Sequence, residues 1–386
     1  LPDSSVFHFP DYLKEKYERF VLISDRHHLD NLDLRDKSAL IVSTDWLAWR
    51  QATDEGAHCI HYEAMLAEWP AERGDPGTHH QRVCQWVYDQ DGKDITMFKG
   101  VSLGKRFVRD VTLFYNAYEN LWHALERAIK IYRPHLINLV DIRLFLGNAE
   151  HDIVEREIQI ELISNIAARY DIRFNAESDI VDTRGWDHAE WDDHVARKPP
   201  NSIWRRFLRG AYAAAIDQAF QIRWLLSGRA SRIFVYSNFS TVQGLINGCK
   251  NHAVSPLLLA SALPKSAAFL ALCWRKGISL SKMPVARLNA EDKKTIDNIK
   301  VKLIEEWSRP TSVKEAALHQ FIKLRILETD WFEKIAVEII AYCELYERKK
   351  IKRILVGDIT GGDCRVIAET GYIAGIPVDE LPNGMF

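Results

Sequence analysis

Short apolar, β-branched runs bounded by polar residues or glycine recur along the first half of the chain. They lie at Phe20–Ser24, Ala39–Thr44, Cys59–Tyr62, Leu136–Val140 and Ile172–Asn175. Runs of this length and composition predict buried strands rather than helices. Between them, Phe114–Tyr132 carries apolar residues at helical spacing and stops before Pro134, and Ile153–Tyr170 repeats that spacing with Glu155, Glu157 and Glu161 interleaved. Both segments predict helices. Strands alternating with helices of this kind predict an α/β lobe built on a parallel sheet.

Residues 179–203 break the pattern with Asp182, Gly185, Asp187, Asp192, Asp193 and Pro199-Pro200. A polar stretch with few periodic apolar positions predicts a connection, placed at 181–203 between a first lobe at 1–180 and a second at 204–386. The second lobe opens with an amphipathic helix at Trp204–Leu226. Strands are then expected at Arg232–Tyr236, Pro256–Leu259, Ile278–Leu280, Arg353–Val356 and Ile376–Val378. A helical insertion, 290–350, separates the third and fourth of these, with Trp307, Phe321, Ile326, Trp331, Ile335 and Ile339 supplying buried faces. The fold class expected is thus α/β, with two Rossmann-like lobes and a helical insertion in the second. Phe386 follows the last strand closely, where a doubly wound sheet would add a helix, so the lobe is expected to be cut short there.

Composition narrows the classes of function. With 51 Lys+Arg against 53 Asp+Glu the net charge is −2, which excludes a protein that wraps nucleic acid through overall positive potential. Any anion site has to be local. Apolar runs such as Ile351–Val356 and Ser255–Leu263 fall far short of the roughly 20 residues of a membrane helix. No basic-then-apolar leader follows Leu1, and a cytoplasmic location is expected. The six cysteines, at 59, 84, 249, 273, 343 and 364, form no CxxC pair, which predicts reduced thiols, with no disulfide and no zinc. The pairs His27-His28 and His79-His80 lack acidic or thiol partners at ligand spacing, so no metal is expected.

The most informative segment for chemistry is Ile354-Leu-Val-Gly-Asp-Ile-Thr-Gly-Gly-Asp-Cys-Arg365, followed by a helix and then Gly375-Ile-Pro-Val-Asp-Glu-Leu-Pro382. A strand running into Gly361-Gly362 lets main-chain N–H groups approach an anion, and the next helix points its positive N-terminus at the same place. Thr360 would add a hydroxyl, Arg365 a guanidinium and Asp358 an acceptor for a sugar or ribose hydroxyl. The competing reading is a tight strand-to-helix turn with Asp363 as N-cap. The segment is not a Walker A loop and lacks GxGxxG.

Asp141 ends the strand Leu136–Val140 at the carboxyl edge of its sheet, with Arg143 two residues on, and is the first candidate for a base or nucleophile. A loop-capping Asp paired with Arg143 is the structural alternative. Asp45 and Glu380 follow strands in the same way. Lys105, with Arg106, follows the strand-like Thr96–Val101 and could meet a phosphate or carboxylate; the alternative is a Gly-containing turn with two exposed cations. Ser237 and Asn238 open the helix after the second lobe's first strand, as sugar or diphosphate ligands or as an ordinary N-cap cluster. Trp204-Arg-Arg-Phe-Leu-Arg209 could dock on anionic lipid, or its helix could simply bury Phe207, Leu208, Tyr212 and Phe220.

Ile354–Met385 resembles the strand–loop–helix–strand segment of GT-B-like glycosyltransferases of capsule and lipopolysaccharide assembly, whose second strand commonly ends in His-Gly. The blocks Ala39-Leu-Ile-Val-Ser-Thr-Asp-Trp46 and Gly100-Val-Ser-Leu-Gly-Lys105 also look like N-terminal parts of such surface-polysaccharide proteins. Where that pattern would put His, this chain has Asn383, which hydrogen-bonds but does not titrate near neutral pH.

The resemblance implies transfer from a nucleotide-sugar donor to a glycan or lipid-linked acceptor, without metal or other cofactor, in the cytoplasm or at the inner membrane surface. Thr360, Gly361, Gly362 and Arg365 would hold the donor phosphates, and the first lobe would present the acceptor beside Asp141. An epimerase or hydrolase of nucleotide sugars keeps the fold and changes the reaction. A non-catalytic sugar-binding or assembly module, favoured by Asn383, is the other class of reading.

Overall fold

The computed structural model describes residues 16–66, 83–144, 156–176, 218–226, 231–236, 254–259, 267–307, 313–357, 359 and 362–381. In chain order the strands are β1 (Arg19–Ile23), β2 (Ala39–Ser43), β3 (Cys59–His61), β4 (Met97–Phe98), β5 (Val101–Ser102), β6 (Leu136–Leu139) and β7 (Arg173–Ala176), then β8 (Ser231–Tyr236), β9 (Val254–Leu259), β10 (Ser279–Ser281), β11 (Arg353–Val356) and β12 (Val378–Glu380). The principal helices are α1 (Trp46–Asp54), α2 (Val108–Tyr132), α3 (Arg156–Arg169), α4 (Ala267–Lys276), α5 (Ala290–Trp307), α6 (Val313–Ile322), α7 (Trp331–Lys349) and α8 (Gly362–Ile373).

Two five-stranded sheets result, of order β3-β2-β1-β6-β7 and β10-β9-β8-β11-β12, and every pairing in both is parallel. Renumbered within each sheet, both orders read 3-2-1-4-5, the doubly wound arrangement. The strand order reverses between β1 and β6 in one sheet and between β8 and β11 in the other. β2 is buried along its whole length and β1 over all but its first residue, as parallel strands covered on both faces require. Among the described residues no helix is long and apolar enough to cross a membrane.

The chain divides into two compact units, and the division is not the sequential one expected. One unit comprises 1–86, 110–182 and 307–328; the other comprises 87–109, 183–306 and 329–386. The expected insertion in the second lobe is therefore split. Its middle piece, α6, belongs to the first unit, where Phe321 stacks on Phe114 of α2 with ring centroids 4.0 Å apart. In turn the segment 87–109 leaves the first lobe for the second unit, where the main-chain N–H of Ser102 donates to Glu369 of α8 at 3.0 Å.

Two local expectations also change. The strand expected at Thr96–Val101 is a hairpin, since Lys99 and Gly100 both take positive φ (48° and 86°) and turn β4 back onto β5. The final strand begins at Val378 rather than Ile376, because Gly375 (φ 67°) ends α8 and the N–H of Ile376 is used by the carbonyl of Gly371.

Candidate functional site

In the first unit the carboxyl ends of β1 and β6 meet at the strand-order reversal, where ligands bind in open α/β sheets. The sequence ends β1 in Ser24-Asp25 and β6 in Val140-Asp141, so polar side chains emerge just where the apolar strands stop. Asp141 accepts the hydroxyl of Ser24 on one oxygen and Nε2 of Gln159, from α3, at 2.7 Å on the other. Each oxygen keeps lone-pair capacity for a further donor. The cation expected beside Asp141 is elsewhere: Arg143 donates from Nη2 to Asp25 at 3.2 Å, and its main-chain N–H donates to Thr44 Oγ1 at 3.0 Å. Arg143 is thus drawn to the β1 loop, and Asp141 is held by neutral groups.

Asp25 caps the short 3-10 turn Arg26–Asn31, accepting the N–H of His27 at 3.0 Å, while its own N–H donates to Nδ1 of His28 at 3.2 Å. His28 is buried. Burial pushes its pKa down, against the upward pull of the Asp141 and Asp25 carboxylates. The sequence reading weighed His28 only as a metal ligand, although the Asp–x–x–His spacing was a capping-box signal. Asp45 is the N-cap of α1, accepting the N–H of Ala48 at 2.8 Å.

In the second unit the reversal lies between β8 and β11. The N–H of Gly357 donates to the carbonyl of Tyr236 at 3.0 Å, joining the ends of these strands, and Ile359 donates to Glu380 Oε1 at 3.1 Å. Glu380, at the exposed end of β12, therefore braces the loop after β11. Gly362 opens α8 with φ 66°, and a Cβ there would stand 3.7 Å from the Arg106 guanidinium. That distance is ordinary van der Waals contact, so it is the positive φ at 362 rather than the closeness of Arg106 that favours glycine there.

Asp363 in that turn accepts Arg106 Nη2 at 2.8 Å and the Tyr236 hydroxyl at 2.8 Å. Glu338 of α7 is half-buried nearby, and burial together with the Asp363 charge raises its pKa, against Arg106. Tyr236, Glu338 and the Arg106–Asp363 pair were not legible from spacing, because they come from four separated stretches of chain.

Two expected phosphate ligands are otherwise engaged. Arg365 pairs with Glu369 at 2.9 Å along the same helix, four residues on, and does not stand open. Lys105 pairs with Asp94 at 3.2 Å over the ring of Tyr88, so neither the anion site nor the exposed turn expected there describes it. Ser237, Asn238, Asp358, Thr360, Gly361 and Asn383 lie outside the described residues.

No protein-family model matches the chain, and no curated protein matches it. Among solved structures it is similar to CobK precorrin-6A reductase, at 8% identity over 94% of this chain and 87% of that one, with a TM-score of 0.22. A likeness at that level carries no argument about activity.

Proposed function

We propose that the chain is a GT-B-like, nucleotide-sugar-dependent glycosyltransferase. In this reading the second unit holds the donor's phosphates and the first takes the acceptor, with Asp141 as the base that receives the acceptor's hydroxyl proton. The observation that carries the reading is that β11, which ends beside Gly357 at the reversal of a doubly wound sheet, is followed at Gly362 by a helix N-terminus with Arg106 against the glycine. Charge developing on the leaving diphosphate would be met by main-chain N–H groups and by Arg106, with Arg365 left to its pairing with Glu369.

The test is a thermal-shift screen against CMP-, UDP-, GDP- and CDP-sugars, followed by product analysis with and without a glycan acceptor. Selective stabilisation by one nucleotide sugar, reduced in Arg106→Ala and Asp358→Ala, is expected. Unchanged stabilisation in both variants would remove the proposed phosphate site. Transfer is expected to survive chelation, and its loss without unfolding would count against the electrostatic mechanism.

A further inference from the structure

Among the described residues, the buried donors of the first unit that find no acceptor include two at the carboxyl ends of β1 and β6. His28 is only 7% exposed, and because its Nδ1 accepts the N–H of Asp25, the neutral ring carries its hydrogen on Nε2. That Nε2 is buried and has no acceptor among the described residues. The Nε of Arg143 is buried and likewise without a partner among the described residues, although its Nη2 is tied to Asp25. Asp25 bonds to both residues, so the two donors belong to one polar group at the ends of β1 and β6. Most buried N–H groups in native proteins are satisfied, and each exception calls for a reason.

The charges around the pair narrow what could satisfy it. Asp25 and Asp141 are carboxylates and Arg143 is the cation among these residues, while burial disfavours the charged form of His28. The group is acidic on balance, which opposes a phosphate or carboxylate ligand. A ligand here has to offer neutral oxygens that accept, and it gains if the same groups can donate to Asp141. Adjacent hydroxyl groups on a sugar ring meet both conditions.

We propose that this edge of the first unit binds a saccharide, with His28 Nε2–H and Arg143 Nε–H donating to neighbouring hydroxyls and Asp141 accepting from one of them. The inference rests on the transferase reading only where the saccharide is equated with the acceptor. The donors and their charge surroundings suit a neutral polyhydroxyl ligand whichever reaction the chain carries out.

The probe is the wild-type protein with ¹⁵N-labelled histidine, titrated with glucose, galactose, mannose and N-acetylglucosamine, and separately with inorganic phosphate. His28→Phe identifies the His28 ring signals. At least one sugar is expected to shift them saturably while phosphate does not. His28→Phe and Arg143→Lys should each weaken binding at least about threefold to tenfold, the usual worth of one hydrogen bond. Should His28→Phe fail to fold, His28→Gln takes its place in the assignment. Its amide can accept from Asp25 and still donate, so it should largely retain sugar binding. Shifts with phosphate alone, no shift with any sugar, or sugar affinity unchanged in the Phe and Lys variants overturns the proposal. Because no nucleotide sugar is present, such a failure leaves the donor-stabilisation result standing, and a failure of that result leaves this one standing.

Discussion

Arg106 reaches Asp363 across 257 residues of sequence and donates to its carboxylate at 2.8 Å. The pair joins the segment after the β4–β5 hairpin to the first turn of α8. Half-exposed ion pairs contribute little, whereas breaking a buried one strands a charge. With relative side-chain exposures of 19% and 38% this pair lies between those limits. Arg106→Met should therefore destabilise by about 1–2 kcal/mol. A double-mutant cycle with Asp363→Asn, followed by urea unfolding, measures the coupling; additivity of the two changes would show that the pair contributes nothing.

Gly371 sits inside α8, where alanine would ordinarily gain about 1 kcal/mol of helix propensity. Here a Cβ would stand 2.5 Å from Ile354 Cδ1 and 2.9 Å from Val378 Cγ2. These atoms belong to β11 and β12, so the helix lies too close to the sheet for a methyl group. Overpacking of this kind costs about 1–3 kcal/mol, and Gly371→Ala should lower the unfolding midpoint despite its better propensity. A raised midpoint would mean that the helix can lift off the sheet at no cost.

The parallel strands were readable because burial on both faces makes each an uninterrupted apolar run, as in Phe20–Ile23 and Ala39–Val42. The partition into units was not readable. It depends on contacts such as Phe114 with Phe321 and Ser102 with Glu369, which join positions far apart in sequence and leave no local period. At the sites, Asp141 was legible from its place at a strand end, but its partners Ser24 and Gln159 come from other elements. Arg365 stands four residues before Glu369 on one helix, an i,i+4 spacing that takes its guanidinium into a pair along the helix rather than towards a ligand.

If α6 belongs to the first unit, damage to it should be felt there. Phe321 is buried against Phe114, and Phe321→Ala should cost about 3–5 kcal/mol. Hydrogen exchange read by mass spectrometry should show protection falling in Val108–Tyr132 and Arg156–Arg169, with peptides from β8, β9 and β11 much less affected. The reverse distribution would return α6 to the second unit.

His61 closes β3 and stacks on Trp46, with ring centroids 3.7 Å apart. Burial holds its pKa down at about 4, below the ordinary 6.5, against the pull of the Thr44 main chain and the Asp45 charge. Between those two pH values the unfolded chain binds the proton and the folded chain does not. Stability should therefore fall as pH drops from about 6.5 towards 4, by at most about 3 kcal/mol from this residue. His28 acts in the same direction, so the slope has more than one source. His61→Phe keeps an aromatic ring for Trp46 and removes the titration. Urea unfolding at intervals across this window should give a shallower pH dependence in the variant than in the wild type, and identical slopes would show that His61 takes up its proton without loss of the fold.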